Sequence, residues 1–71
     1  MSEWISTNSE AIAGFRYDPK AQTLRVQFNS GSVYDYFKAG PKLYRRFLKA
    51  PSKGQFFMSY IRGKFPFRQV K

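Results

Sequence analysis

The sequence predicts an α+β fold in which a three-stranded antiparallel β-meander is followed by two short helices packed on one face of the sheet. Apolar residues alternate with a period of two up to Phe37 and then recur with the helical period of about 3.6. The connections between the three predicted strands are short, which favours antiparallel neighbours. A switch from strand to helix period within one short chain is typical of the α+β class.

Turn-forming residues separate the predicted strands. Three segments have the strand pattern: residues 12–18, 23–28 and 33–37. Asp18-Pro19 begins a turn after the first strand. Gly31 lies in the second turn and can adopt the positive φ that a hairpin requires.

Two helices are predicted after the meander. Pro41 begins the first one, because proline at the first helical position loses no hydrogen bond, and Pro51 ends it. Ser52 and Gln55 have capping-box spacing for a second helix, which Gly63 ends. The apolar sides of the two helices are Leu43, Tyr44, Phe47 and Leu48 in the first, and Phe56, Phe57, Tyr60 and Ile61 in the second.

We expect a single domain over residues 1–71, because the chain is short and has no internal repeat. Residues 1–8 are predicted to be a flexible N-terminus. Residues 64–71 are predicted to be an extended, mobile basic tail in which Phe65 and Phe67 point the same way, so that the pair either packs on the domain or waits for a partner. Aromatic residues make up 20% of the chain, and we assign Trp4 and the phenylalanines before the tail to core packing.

Charge is distributed unevenly along the chain. The formal net charge is +9, from 13 Lys and Arg against 4 Asp and Glu. Residues 38–71 contain ten of these bases and no acid, whereas residues 1–37 contain three bases and all four acids. Such asymmetry attracts polyanions. Solubility alone does not require it.

The predicted binding residues are basic side chains of the helices and the tail. At 100° per residue most of them form a stripe on the first helix, opposite its apolar arc. They are Lys42, Arg45, Arg46, Lys49, Lys53, Arg62, Lys64 and Arg68. Tyr34, Tyr36 and Tyr60 are candidates for stacking on unpaired bases, although core packing is the favoured role of the first two. Asp35 should face away from whatever both strand tyrosines contact.

The composition argues against an enzyme. The chain has no His and no Cys, and its four carboxylates are scattered, so neither a nucleophile–base pair nor a metal-ligand set is evident. We therefore predict no catalytic residue, no metal and no cofactor. No long apolar run is present, and we expect a monomeric cytoplasmic protein that does not bind membranes.

These motifs, taken in order, resemble the KTSC domain, a short module named after the C-terminus of some lysyl-tRNA synthetases and also found as a stand-alone protein in bacteria and phages. The resemblance covers roughly residues 9–65. It rests on Ser9, Ile12, Tyr17-Asp18, Leu24/Val26/Phe28, Ser30-Gly31, Tyr34-Asp35-Tyr36, Pro41, Tyr44, Phe47-Leu48, Ala50, Ser52-Lys53-Gly54-Gln55-Phe56-Phe57 and Ile61-Arg62. Gly40, Pro51 and Met58 depart from the family pattern. The resemblance implies this fold, suggests RNA binding, and implies no catalytic residue.

Two functional hypotheses follow from the sequence. The first is a nucleic-acid-binding module, for RNA before DNA, that contacts phosphates and has little sequence specificity. The alternative is a regulator of transcription or translation that docks on an acidic patch of a large machine such as RNA polymerase or the ribosome. Charge steering serves both functions.

Overall fold

An antiparallel sheet and a helical layer make up the computed structural model, which describes residues 1–71. The sheet order is β1-β2-β3-β4-β5. Its strands are β1 (Ile5–Ser6), β2 (Ile12–Asp18), β3 (Thr23–Phe28), β4 (Val33–Tyr36) and β5 (Phe67–Gln69). The helices are α1 (Pro41–Lys49) and α2 (Lys53–Phe56), the second continuing as a π-helical turn (Phe57–Ile61). The α+β class, the antiparallel sheet and the helical pair are therefore confirmed.

The predicted number of strands is wrong, because the sheet has five strands and not three. Strand β1 pairs Ile5 with Phe15 of β2. Strand β5 pairs Phe67 with Tyr36 of β4. Both added strands are too short to show an alternating pattern, and each is held by hydrogen bonds to a neighbour rather than by its own composition. The segments expected as a flexible N-terminus and a free tail thus contain the two edge strands.

Local sequence signals set the helix boundaries. Pro41 is the first residue of α1, after the N-cap Gly40. The Ser52 side chain accepts a hydrogen bond from the Gln55 amide (3.2 Å), as the capping-box spacing predicted. The second predicted helix changes to π geometry, since the Arg62 amide donates to the Phe57 carbonyl five residues earlier (2.9 Å). Gly63 follows with a φ of +75° and ends the segment.

The core lies between the sheet and the helices and is largely aromatic. Phe15 and Phe47 are fully buried with ring centroids 4.7 Å apart. Tyr17 stacks on Tyr44 at 4.1 Å, and its hydroxyl donates to the Ala39 carbonyl (2.6 Å). Desolvation by burial raises the pKa of both tyrosines. These contacts fix α1 against the sheet through its apolar arc.

Three residues assigned to the core or to an apolar helix side are exposed: Leu48, Trp4 and Tyr60. Leu48, at the edge of the predicted arc of α1, has 40% of its surface exposed. Trp4 is exposed as well, with the Arg16 guanidinium 5.4 Å from its ring centroid. A nine-residue helix covers only part of the sheet, so residues at the margins of the apolar pattern remain in contact with water. None of the helices combines the length and the apolar character that crossing a membrane requires.

Candidate functional site

The outer face of α1 carries four exposed cations, which we call the α1 basic surface: Lys42, Arg45, Arg46 and Lys49. The two ion pairs of the structure both involve Asp35, which is contacted by Arg25 and Arg68. The first turn of α1 contains no acidic residue. None of these four cations has a carboxylate partner, so their field is uncompensated within the molecule.

Lys53, predicted to extend this stripe, has a different position. Its side chain is half-buried, and the ammonium donates to the backbone carbonyls of Leu48 (3.1 Å) and Ala50 (2.8 Å). These carbonyls belong to the C-terminal end of α1, where a helix leaves acceptors without intrahelical donors. Lys53 therefore satisfies the end of the helix.

Arg46 links the α1 basic surface to two aromatic rings. Its guanidinium lies 4.9 Å from the Tyr60 ring centroid and 5.5 Å from that of Phe56. The two rings are 4.7 Å apart, and 48% of Tyr60 is exposed. Within the π-helical turn Phe57 and Ile61 are buried and Tyr60 is exposed, so an exposed aromatic ring lies beside an arginine of the basic surface.

The other two candidate stacking residues lie in a separate cleft of about 490 Å³, which we call the aromatic cleft. It is lined by Phe28, Tyr34, Tyr36, Phe67 and Arg62, together with turn residues between β3 and β4. Tyr36 is only 5% exposed and Tyr34 is half-buried, so both rings pack against the protein. Only Tyr34 exposes part of its ring to the cleft. Burial raises the pKa of Tyr36, and the nearby Arg62 lowers it by a smaller amount.

Arg68 lies on the sheet face opposite the helices. It occupies one row with Asp35, Arg25 and Arg16, which are register partners across four strands. Arg25 Nε donates to Asp35 Oδ1 (2.7 Å), and this hydrogen bond raises the pKa of Arg25. Arg68 Nη2 is 3.8 Å from Asp35 Oδ2. Asp35 thus faces away from Tyr34 and Tyr36, as the strand alternation predicted.

The predicted binding residues therefore do not form one site. Four are on the α1 basic surface, and Arg62 is at the aromatic cleft. Arg68 is on the opposite sheet face, Lys53 is at the end of α1, and Lys64 is exposed after the π-helical turn. The sequence left open whether Phe67 packs on the domain or waits for a partner, and its exposure depends on β5 pairing with β4.

A second concave region of about 1080 Å³ lies between the 5–11 segment and the helices. Its apolar lining includes Leu48 and Met58, both exposed. The Ser9 hydroxyl reaches Gly54 there so closely that a Cβ at Gly54 would lie 2.8 Å from it. This groove joins segments far apart in the sequence, and no local pattern indicates it.

No three side chains of His, Cys, Asp or Glu gather anywhere in the fold, so these residues offer no metal-ligand set.

Comparisons with known proteins agree with the topology. The profile of the KTSC domain family matches residues 8–65. The chain is 46% identical over 66 residues to a lysine–tRNA ligase of Nostoc punctiforme, covering 93% of this chain but only 12% of the ligase. It is 34% identical over 53 residues to an uncharacterized protein of Stutzerimonas stutzeri, covering 75% of each chain. The crystal structure of a KTSC domain protein from Yersinia pestis superposes with a TM-score of 0.92, at 32% identity and 97% coverage of both chains.

Proposed function

This chain belongs to the KTSC domain family, and from that premise we propose that it is a non-catalytic module that binds RNA on the α1 basic surface. Phosphates would contact the four exposed cations, and Tyr60 beside Arg46 would offer a ring to an adjacent unpaired base. Backbone contacts of this kind carry little sequence information, so we expect weak specificity.

The observation that carries this proposal is the absence of any carboxylate partner for the α1 basic surface. Its members are spaced three or four residues apart and so form four pairs of neighbouring like charges on the helix. Each such pair costs about 0.2–0.5 kcal/mol, so the surface destabilises α1 by about 1–2 kcal/mol in total. An anionic ligand relieves this repulsion, whereas a purely structural helix would interleave acidic residues.

The relatives make RNA the favoured polyanion. The lysine–tRNA ligases matched by this chain have a tRNA as a substrate by name, and one region of them is related to this domain. The chain spans only 12% and 10% of the two ligases, so we extend to it the contact with RNA and not the ligation.

The test is a titration of labelled single-stranded RNA at several salt concentrations. Four phosphate contacts predict a slope of log K against log[salt] of about −3. The double variant Arg45→Glu/Arg46→Glu should lose most of the affinity, with an unchanged circular dichroism spectrum. The matched control is Lys20→Glu/Lys71→Glu, which changes the net charge equally at exposed positions away from α1. Equal losses in both variants would show that net charge alone acts, and unchanged binding in the first would exclude the α1 basic surface.

The alternative, a regulator that docks on an acidic protein surface, is favoured by the groove beside α1. Leu48 and Met58 are exposed there, and exposed apolar side chains with a polar rim are typical of protein-binding surfaces. A pull-down from nuclease-treated lysate separates the two functions. Partners that survive nuclease and are lost with Met58→Asp would favour the regulator, and loss of all partners would favour RNA.

A further inference from the structure

The helical layer leaves one part of the sheet uncovered, at the edge formed by β4 and β5. Phe28 and Tyr36 rest against Phe57 of the π-helical turn, with centroids 5.3 and 5.2 Å away. Beyond them the sheet continues to Phe67, which is 58% exposed, the highest value among the large apolar side chains. The exposed Phe67 ring on β5 therefore forms the outer wall of the aromatic cleft, and the buried rings continue the wall inward.

The rings of the cleft are held in fixed positions. Phe67 lies 5.8 Å from Tyr34 and 5.9 Å from Tyr36, and the two tyrosines are 6.4 Å apart. The Tyr34 hydroxyl donates to Gln69 Oε1 (3.3 Å), which ties β4 to β5 at the rim. Phe28 packs edge-on against Tyr34 at 5.7 Å, and both rings rest on the hydrophobic core, which supports the floor of the cleft.

The charge at the cleft is positive. Arg62 is exposed at the rim, and its protein contact is a long hydrogen bond from Nη1 to the Met58 sulfur (3.5 Å). No acidic residue lines the cleft, since Asp35 lies on the opposite face of the sheet. The hydroxyls of Ser30 and Ser32 complete the rim with groups that donate and accept hydrogen bonds.

We propose that the aromatic cleft binds one unpaired nucleobase of an RNA strand, stacked on Phe67 and the open part of Tyr34, with an adjacent phosphate on Arg62. Flat aromatic walls select a flat π system, the arginine selects an anion, and the serines can contact a base edge. The volume lies within the range of ligand pockets. This inference rests on the proposed function. It adds the requirement that the bound RNA contain an unpaired base.

The consequence is a preference for single strands. A duplex keeps its bases stacked, so it can contact the α1 basic surface but cannot fill the cleft. Stacking of one base changes affinity by about five- to 150-fold. The protein should bind a single-stranded RNA more tightly than salt-dependent phosphate contacts alone predict.

The experiment uses a short single-stranded RNA with one 2-aminopurine, whose fluorescence falls when the base stacks, and the same RNA annealed into a duplex. Wild type should quench the single strand on binding, and Phe67→Ala should bind it about five- to 150-fold more weakly and quench it less, because Tyr34 and Tyr60 still offer rings to a base. Phe67→Trp should restore both properties, since tryptophan also stacks. The matched control is Val70→Ala, an exposed apolar truncation in the same tail. A Phe67→Ala protein indistinguishable from Val70→Ala would overturn the inference.

Arg62→Gln provides a second test outside the sheet, in case Phe67→Ala does not fold. It should lower the salt slope on single strands by about 0.7 and leave duplex binding unchanged. An unchanged slope would overturn the role of Arg62. The proposal for the α1 basic surface and the proposal for the aromatic cleft can be told apart. Arg45→Glu/Arg46→Glu should weaken binding to single strands and to the duplex, whereas Phe67→Ala should weaken binding to single strands only. Duplex binding with no single-strand preference would exclude the cleft and leave the α1 basic surface.

Discussion

Replacing Lys53 with methionine removes a charge that is part of the fold. Methionine keeps most of the apolar stem but cannot donate to the Leu48 and Ala50 carbonyls. A hydrogen bond from a charged group contributes about 1.5–3 kcal/mol when buried, and solvent screening reduces this at a half-exposed site. We therefore expect Lys53→Met to destabilise the domain by about 1–2 kcal/mol.

Thermal unfolding followed by circular dichroism measures this loss. For a domain of this size about 1 kcal/mol corresponds to about 4–8 °C in Tm. RNA affinity of the folded protein should not change, because the Lys53 ammonium is already engaged with backbone oxygens.

The control is Lys49→Met, in the last turn of α1. Lys49 is exposed, its side chain makes no hydrogen bond or ion pair, and its removal relieves two of the four like-charge pairs on α1, so Tm should stay the same or rise. The salt slope on single-stranded RNA should fall by about 0.7, the contribution of one phosphate contact. The reasoning is refuted if Lys53→Met keeps its Tm and loses as much RNA affinity as Lys49→Met.

Three further predictions concern stability. Phe47→Ala should cost about 3–5 kcal/mol, because Phe47 is fully buried against Phe15; a near-native urea midpoint would contradict the packing. Truncation after Lys64 should lower the urea midpoint, since it removes β5 and its hydrogen bonds to β4, each contributing about 0.5–1.5 kcal/mol; an unchanged midpoint would show that β5 is dispensable. Burial raises the pKa of three tyrosines, so their contribution to stability is complete below pH about 10 and is lost as the pH rises through their raised values. Urea midpoints at neutral and strongly alkaline pH should show this fall, and Tyr36→Phe should reduce it; an equal fall in the variant would assign the effect to other groups.

Local chemistry explains why the helices were predictable. Proline at the start of α1, the hydrogen bond between Ser52 and Gln55, and Gly63 at the end of the π-helical turn depend on residues a few positions apart. Gly31 in the hairpin, with a φ of +97°, belongs to the same class. Such signals are present in the sequence because the groups that satisfy them are neighbours along the chain.

The edge strands depend on groups that are far apart along the chain. β5 exists because Phe67, Arg68 and Gln69 meet Tyr36, Asp35 and Tyr34, and three residues are too few for periodicity to show. Through this pairing Arg68, which belongs to the half of the chain without acids, lies 3.8 Å from Asp35 of the other half. The same limit applies to the candidate site. Exposure of the α1 basic surface follows from helical rotation, whereas Lys53 lies after Pro51 and turns back to the helix end.

The placement of the acids shows which part of the net charge is available to a ligand. Asp35, 3% exposed, accepts two hydrogen bonds from Arg25 and lies near Arg68, so the arginine row of the sheet is partly neutralised. The α1 basic surface and Arg62 have no such partner. Solubility alone does not require that the cations of the sheet face be paired with Asp35 while those of the α1 basic surface have no acidic partner. Five of the cations without a carboxylate partner lie on α1 and on the rim of the aromatic cleft. An RNA strand that contacts both α1 and the cleft would therefore meet cations at the helix and a stacking ring at the sheet edge, which is the combination that single-strand binding requires.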